Sequence, residues 1–461
     1  LFLKLLIMTP NHSLAISLQL KGLMRTDLLK NIDQSFPYEI VASYRTLESS
    51  KLKRDRIYND ENTLLTMLVS AIHEDKSLKQ AVNIFKAVFE SKGQEIKQKE
   101  AEQLQLEQAE ENRSLAEGAV RKRGRRRLYK SRLPGSKTLE VSDNTAAYAK
   151  ARARLDNNLV NEVFKYSADF KELNDKKWYD MNTFITDGTY FQMQDTKELR
   201  KKYFVKQDDN AYPQGLLQVV LQQGSGQVCN FKTGTRHQSE LELIKPLIED
   251  LPEGSLLLAD DLYSTYAVFC LMLKKGCHLI VPGKRDRNYS VIKKLSKGDE
   301  IVELKKPKTR SDWVSLEEWK QFPSKITMRR ITYSSPDDSQ QQCVQYTTLL
   351  NEEISSTEII LKYYTRWDIE ITIREIKTIM GINIARGKTE DMVFKEITVA
   401  LTAYNMLRKI ISKSVEKTNF SPQSHFFQEC FAINQELLVD KKGRVYHHWS
   451  PGRYGKVVAT N

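Results

Sequence analysis

The sequence predicts an α/β protein that carries a mostly β insertion and has helical regions toward both ends. Between about residues 180 and 284, continuous apolar runs alternate with amphipathic helical patterns, which is typical of a sheet covered by helices on both faces. From 285 to 355 the pattern changes to polar strands without a strong helix. The 461 residues provide enough length for two or three domains.

The N-terminal region is predicted to be helical. Residues 62–89 form two helices that are interrupted at residues 73–75. Two short helices joined by a tight turn are either a helix-turn-helix DNA reader or a plain helical hairpin, and the pattern leaves both interpretations open. Residues 142–144 are predicted to cap an alanine-rich helix, and a second amphipathic helix follows at 159–166.

A strongly basic segment lies between these two helical parts. Residues 121–132 contain eight cations and no acid. Blocks of like charge are often solvated tails, but this block is internal and includes Tyr129, which favours contact with a DNA backbone. The cations predicted to bind DNA are Arg121, Lys122, Arg123, Arg125, Arg126 and Arg127.

The α/β region begins with a strand that has Asp187 in its middle. A later continuous apolar strand ends at Asp260 and Asp261. Functional groups are often found at the ends of such buried strands. The predicted strands are 184–191, 215–222, 255–259 and 277–281, and the predicted helices are 238–251, 264–275 and, near the C-terminus, 392–412.

A helix predicted to begin near Ser355 or Ser356 has an unusual distribution of charge. At about 100° per residue, four polar side chains share an arc of roughly 60°. They are Tyr363, Arg366, Glu370 and Lys377, and the apolar stripe beside them is Ile369, Ile376 and Met380. A solvated face is the usual interpretation of a charged helix. Because these charges adjoin the core stripe, we interpret Glu370 as a metal ligand flanked by phosphate-binding groups. Glu375 lies about 140° from Glu370 on the helical wheel and therefore does not share this face.

The overall charge indicates a polyanionic partner. Lysine and arginine total 72 against 59 acids, so the net charge is +13, which suits nucleic acid or an anionic membrane surface. The apolar run at residues 1–8 is interrupted by Lys4 and is far shorter than the ~20 residues of a membrane span, so no membrane partner is expected. Five cysteines without C-x-x-C spacing argue against a zinc site or disulfides and favour a reducing, cytoplasmic setting.

Three acids could hold a pair of divalent cations at the edge of the sheet. Asp187 and Asp260 lie on strands and Glu370 on a later helix, and oxygen-only ligands suit Mg²⁺ or Mn²⁺. The plain alternative is that Asp187 makes a turn contact and Asp260 caps the following helix. Asp261 is a rival to Asp260 as the second ligand.

These residues resemble the motifs of DDE transposases of bacterial insertion sequences, in the fourth insertion-sequence family. Tyr363-x₂-Arg366-x₃-Glu370-x₆-Lys377 matches that family's Tyr-Arg-Glu-Lys signature without gap or substitution. The segments ITDGTYF at Asp187 and LLLADDLY at Asp260 resemble its first two acidic motifs, and the similarity extends from about residue 60 to 412. Two departures affect the second motif, where Asp261 replaces the usual arginine and Leu262 the usual small residue.

The resemblance implies a ribonuclease H-like core and metal-dependent DNA transposition of the cut-and-paste type. It implies that Asp187, Asp260 and Glu370 are catalytic and bind two divalent metals, Mg²⁺ or Mn²⁺, and that Tyr363, Arg366 and Lys377 bind DNA. Some members flip a base onto a tryptophan, since stacking is worth roughly 1–3 kcal/mol per base. Trp313 and Trp319 are candidates for this stacking, and a place in the core of the insertion is their alternative.

The predicted organisation has five parts, which are a helical DNA-binding region with a basic linker at 1–155, the first part of the core at 156–284, the β-rich insertion at 285–355, the second part of the core with the catalytic helix at 356–415, and a C-terminal region at 416–461.

The expected partners are the terminal inverted repeats of the element, target DNA and a second copy of the chain, since two ends must be held together. A bacterial cytoplasmic protein associated with the nucleoid is expected. A catalytically inactive end-binding protein and a structure-selective nuclease of the same fold are the alternatives.

Overall fold

The computed structural model describes ten ranges of the chain, which are 35–47, 57–73, 75–87, 141–169, 177–204, 211–283, 287–334, 342–416, 437–439 and 445–447. The basic segment with Arg121, Lys122, Arg123, Arg125, Arg126 and Arg127 lies outside the described residues, as does most of the predicted C-terminal region.

The N-terminal region contains five described helices, with bounds α1 Tyr38–Leu47, α2 Asp60–Ile72, α3 78–87, α4 Ala146–Arg154 and α5 Asn157–Ala168. The predicted interruption between α2 and α3 is confirmed. Asn59 caps α2 by accepting a hydrogen bond from the backbone N–H of Asn62 at 2.7 Å. In the predicted cap before α4, Asn144 accepts from the backbone N–H of Ala146 at 2.8 Å.

One sheet of nine strands forms the centre of the described molecule. Its strands are β1 Thr183–Gln192, β2 Gln214–Gln222, β3 Val228–Thr235, β4 Leu256–Leu258, β5 His278–Pro282, β6 Ser290–Ser296, β7 Asp299–Lys305, β8 Lys325–Ser334 and β9 Gln342–Thr347. Their spatial order is β3-β2-β1-β4-β5-β9-β8-β7-β6. The remaining helices are α6 Lys197–Tyr203, α7 Glu240–Glu249, α8 Tyr266–Lys274, α9 Leu316–Gln321, α10 Ser356–Tyr364, α11 Asp368–Thr378 and α12 Glu390–Glu416, and a two-stranded sheet pairs β10 Leu437–Val439 with β11 Val445–His447.

The sheet is mixed. Strands β1, β4 and β5 are parallel, and β2 runs antiparallel to both β1 and β3. Strand β9 pairs antiparallel with β5, so the β-rich segment predicted at 285–355 continues the same sheet and does not form a separate one. It also contains the short helix α9. The sequence pattern missed β3, because this edge strand buries only about every third residue and has no continuous apolar run.

Helices cover both faces of the sheet, as the apolar strands predicted. Neighbouring residues on β1 point to opposite faces, so that Ile185 packs in the core with α2, α5 and α12, and Phe184 packs in the core with α7 and α8. Within the described part of the chain, no helix is both long enough and apolar enough to cross a membrane.

The helix that carries the four polar residues is interrupted, which corrects the prediction of one regular helix. Ser355 caps α10 together with Glu358 in a capping box. A 3₁₀ turn at Thr365–Trp367 then separates α10 from α11. At this turn the Thr365 hydroxyl donates to the carbonyl of Lys362 at 2.6 Å, a side-chain hydrogen bond that tends to distort helices. The predicted stripe of Ile369, Ile376 and Met380 is buried.

Candidate active site

The pairing of β1 with β4 brings Asp187 and Asp260 to one edge of the sheet. The parallel register ends with Ile185 opposite Leu258. Two residues farther along each chain are Asp187 and Asp260, so both acids reach the same level at the carboxyl ends of the strands. In agreement with this proximity, the negative charge of Asp260 helps to raise the pKa of Asp187.

Asp187 lies in a half-buried, electronegative position. Its side chain is 22% exposed, and its Oδ1 accepts a hydrogen bond from the backbone N–H of Gly188 at 2.8 Å. The pKa of Asp187 is raised to about 6, mainly by burial and also by the charges of Glu240 and Asp260, against the opposing effects of the Gly188 N–H and Arg366. The site therefore favours either a proton or a cation at this carboxylate.

Asp260 and Asp261 have different surroundings. Asp260 is partly buried, and its Oδ1 accepts from the backbone N–H of Leu262 at 2.9 Å, so it caps the 3₁₀ turn at Asp261–Tyr263. Burial is the main reason that the pKa of Asp260 is raised. Asp261 is exposed. The geometry therefore favours Asp260 as the acid that faces Asp187, and it also gives Asp260 the capping role that was its plain alternative.

Arg366 connects the acids of the strands with the acid of the helix. Its Nη2 donates to Oε1 of Glu370 at 3.0 Å, and its Nη1 lies 3.9 Å from Oδ2 of Asp187. Its positive charge also acts on Asp260 and on the hydroxyl of Tyr363, and lowers the pKa of both groups against the effect of burial. The guanidinium is only 13% exposed, so four of the predicted site residues meet around one largely buried cation.

Two neighbours on α11 have separate roles. Lys377 is partly exposed, two helical turns beyond Glu370. Glu375 is completely buried and accepts hydrogen bonds from the Tyr404 hydroxyl at 3.0 Å and from Arg408 at 3.2 Å. Glu375 therefore belongs to the packing of α11 against α12, on a different face from Glu370, as the helical wheel predicted.

The tryptophans of the insertion lie mainly in its core. Trp319 is 9% exposed, and its ring packs against Phe322 at a centroid distance of 5.8 Å. Trp313 is partly buried against the same core. The position of Trp319 therefore fits a place in the core of the insertion better than stacking on a flipped base. By contrast Trp367, which is not one of the motif residues of the sequence, is 61% exposed beside Arg366.

Glu240, the first residue of α7, also lies beside these acids, although the sequence pattern did not predict it as a site residue. Its carboxylate accepts a hydrogen bond from the Tyr263 hydroxyl at 2.9 Å and lies against Gly188 on β1. Glu240 belongs to no motif of the sequence. It lies at the site because α7 follows the end of β3, a strand that the sequence pattern did not predict.

The acids suit a divalent cation by chemistry and charge. They offer only oxygen atoms, which Mg²⁺ and Mn²⁺ prefer, and the half-buried Asp187 is surrounded by more negative than positive charge. Their spacing is wider than a bound ion requires, since in the described part of the chain no three His, Cys, Asp or Glu side chains are grouped closely enough to hold a metal. The guanidinium of Arg366 lies between two of them, Asp187 and Glu370.

The chain is similar in sequence to known transposases. Residues 178–406 match the family described as "Transposase DDE domain". The chain is 27% identical over 339 residues to the transposase InsG for insertion sequence element IS4 of Escherichia coli (strain K12), which covers 71% of this chain and 73% of InsG. A piggyBac transposase in a synaptic complex with hairpin DNA aligns with 91% of this chain and 80% of its own, at 11% identity and a TM-score of 0.38, a value too low to establish a common fold. The chain is thus similar to DDE transposases over residues 178–406, and to the transposase of insertion sequence IS4 over 71% of its length.

Proposed function

We propose that this DNA transposase cleaves and joins DNA at the ends of its own insertion sequence by a cut-and-paste reaction, and that Asp187, Asp260 and Glu370 hold its divalent cations. The observation that carries the proposal is the convergence of these acids on Arg366, which contacts Glu370 at 3.0 Å and Asp187 at 3.9 Å. Two Mg²⁺ or Mn²⁺ ions bound there would polarise the phosphodiester and stabilise the entering and leaving oxygens.

Arg366 has a double role in this proposal. Before DNA binds, its guanidinium neutralises part of the charge of Asp187 and Glu370. A DNA phosphate competes for the same N–H donors, because Arg binds phosphate oxygens as well as carboxylates. Release of either acid by Arg366 would let Glu370 approach Asp187. Tyr363 and Lys377 flank this point on the helix and would hold the adjacent phosphates.

The topology supports a ribonuclease H-like core. Among the five strands β3-β2-β1-β4-β5, only β2 runs opposite to the others. The strands β6 to β9 are inserted between Asp260 and Glu370 in the sequence and extend the far edge of the sheet. The helices α1 to α5 and the basic segment at 121–132 would supply further DNA contacts, and a symmetric homodimer would hold two element ends in one synaptic complex.

The test uses the purified full-length chain with a labelled element end and Mg²⁺. We expect strand cleavage by the wild type and none by Asp187→Ala, with end binding retained in both. A precleaved end with a free 3′-OH should then be joined to target DNA. Binding without cleavage by the wild type would identify an inactive end-binding protein, and cleavage without joining would identify a nuclease.

A further inference from the structure

Strand β1 continues beyond the parallel strands of the sheet and carries an exposed tyrosine past the candidate active site. Its pairing with β4 ends at Ile185, and in the described part of the chain only β2 flanks it from residue 186 to residue 191. Tyr190 is 45% exposed and lies three residues beyond Asp187, so about 10 Å from it along the strand. This extension of the sheet is open to a molecule that reaches across from Asp187.

Tyr190 lies on the face of β1 that α7 covers. Gly188 and Tyr190 point to the same face, because they are two residues apart on the strand. The carboxylate of Glu240, the first residue of α7, fills the space over Gly188. Tyr190 is the next residue on this face, and its ring is left accessible.

A guanidinium group lies over the ring of Tyr190. The Cζ atom of Arg236 is 5.3 Å from the ring centroid, a distance at which the positive charge is attracted to the ring. Arg236 also donates to the side-chain oxygen of Gln214, the first residue of β2, and this bond holds the guanidinium in place. Arg236 is itself exposed, so its planar group can be reached from solvent.

A second exposed ring lies beside this pair. His237, next to Arg236 in the sequence, donates through Nε2 to the carbonyl of Phe204 at 2.9 Å, and the two ring centroids are 4.9 Å apart. Phe204 is 42% exposed and directly follows α6, whose last turn is basic and includes the exposed Lys201. We call Tyr190, Phe204, Arg236 and His237 the stacking platform.

Exposed aromatic rings next to cations suit the bases of unpaired DNA. Bases stack on aromatic rings and on the planar group of arginine, and such stacking tolerates any sequence. Inside a duplex both faces of a base are already stacked, so only an unpaired or terminal base offers a free face. A cut at Asp187 would leave such bases within reach, since about 10 Å corresponds to about three nucleotides of a B-form strand.

We propose that the stacking platform binds unpaired bases of the DNA strand that adjoins the cleavage point. This inference rests on the proposed function in one respect, which is that the cut is made beside Asp187. Tyr190 and Phe204 supply the ring faces, and Arg236 supplies a positive charge that attracts the backbone phosphates of the same strand.

The test measures binding of the full chain to a labelled element end by fluorescence anisotropy, in EDTA and therefore without cleavage. The duplex is prepared in three forms, which are blunt, with a single-stranded oligothymidine extension beyond the cleavage point, and with an extension of abasic sugars. Tyr166→Ala is the matched control, because Tyr166 is 46% exposed on α5, which packs on the opposite face of the sheet.

We expect the oligothymidine extension to tighten binding by the wild type about tenfold or more, and the abasic extension to tighten it far less. Tyr190→Ala and Arg236→Ala should lose most of this gain. Tyr190→Phe, which keeps the ring, and Tyr166→Ala should retain it. Affinity for the blunt duplex should stay within a few-fold of the wild type in all four variants.

An equal gain from the abasic extension, or a full gain in Tyr190→Ala, would overturn the inference. A smaller assembly of Tyr190→Ala in analytical ultracentrifugation, with the gain retained, would overturn it in favour of an interface between copies of the chain. Should Tyr190→Ala fail to fold by circular dichroism, a full gain in Phe204→Ala would overturn the inference. A wild type that shows the gain but does not cut the element end with Mg²⁺ would support this inference and contradict the proposed function.

Discussion

Arg366 donates a hydrogen bond to Glu370 at 3.0 Å across one helical turn, and the other end of the same guanidinium lies 3.9 Å from Asp187. One cation thus stands between an acid of the sheet and an acid of the helix. This arrangement suits a site that keeps its carboxylates apart until DNA and divalent cations replace the guanidinium.

We expect Arg366→Ala to bind Mn²⁺ several-fold more tightly than the wild type in the absence of DNA, because the variant lacks the competing cation. The same variant should bind the element end more weakly, since a phosphate-binding group is lost. Calorimetry for Mn²⁺ and a gel-shift assay for the DNA end measure the two effects. Tighter binding of both ligands, or weaker binding of both, would contradict this double role.

Glu370→Gln should reduce strand cleavage by about a thousandfold or more, because a proposed metal ligand is lost. Binding of the element end should remain within a few-fold of the wild type, since the substitution removes negative charge and leaves the DNA contacts in place. The matched control is Glu375→Gln, whose carboxylate lies in the core with Tyr404 and Arg408. We expect that control to lower stability more than cleavage.

Lys377→Ala should weaken end binding uniformly across DNA sequences. Loss of one phosphate contact should make the slope of log affinity against log salt shallower by about one. Binding measured at several salt concentrations gives this slope. The control is Lys293→Ala, on the exposed strand β6. Lys395→Ala would be unsuitable as a control, because Lys395 is buried in an ion pair with Asp391. An unchanged slope for Lys377→Ala would remove Lys377 from the DNA contacts.

The stability of the metal-free protein should depend on pH through Asp187. Folding raises the pKa of Asp187 from 3.8 to about 6, so the folded state holds the proton more tightly and loses stability as the pH rises from about 4 to about 6. Asp187→Asn cannot ionise and should therefore be more stable than the wild type at pH 7.5, by on the order of 1–3 kcal/mol, with the difference vanishing near pH 4.

Thermal or urea unfolding in EDTA across this pH range measures the difference. Asp261→Asn, a change at the exposed neighbour of Asp260, is the control. Addition of Mn²⁺ at pH 7.5 should stabilise the wild type more than Asp187→Asn. A stability difference that does not change with pH would show that Asp187 does not titrate in this range.

Trp367→Ala should weaken binding of the element end by about tenfold, because an exposed aromatic ring beside a phosphate-binding arginine can stack on a base, worth roughly 1–3 kcal/mol. Tyr212→Ala removes a comparably exposed ring, 58% against 61% for Trp367, away from the α10–α11 turn. A DNA end with an abasic position should bind the Trp367 variant and the wild type alike. Equal losses in Trp367→Ala and Tyr212→Ala would indicate a nonspecific effect.

Much of the fold could be predicted from local sequence pattern. The continuous apolar runs of β2 and β4 and the helical stripe of Ile369 and Ile376 reflect burial that depends on each segment alone. Strand β3 escaped prediction because an edge strand needs fewer apolar residues. The 3₁₀ turn at Thr365–Trp367 escaped because one side-chain hydrogen bond decides it within an otherwise helical pattern.

The sequence by itself determined the type of chemistry, since Asp187, Asp260 and Glu370 and the spacing of Tyr363, Arg366 and Lys377 are properties of the chain. Only the tertiary structure decided which groups face one another. The register of β1 with β4 brought Asp260 level with Asp187, and the packing of the insertion buried Trp319. The turn from β3 into α7 brought Glu240 to Gly188. Contacts of this kind join residues far apart in sequence, and no local periodicity records them.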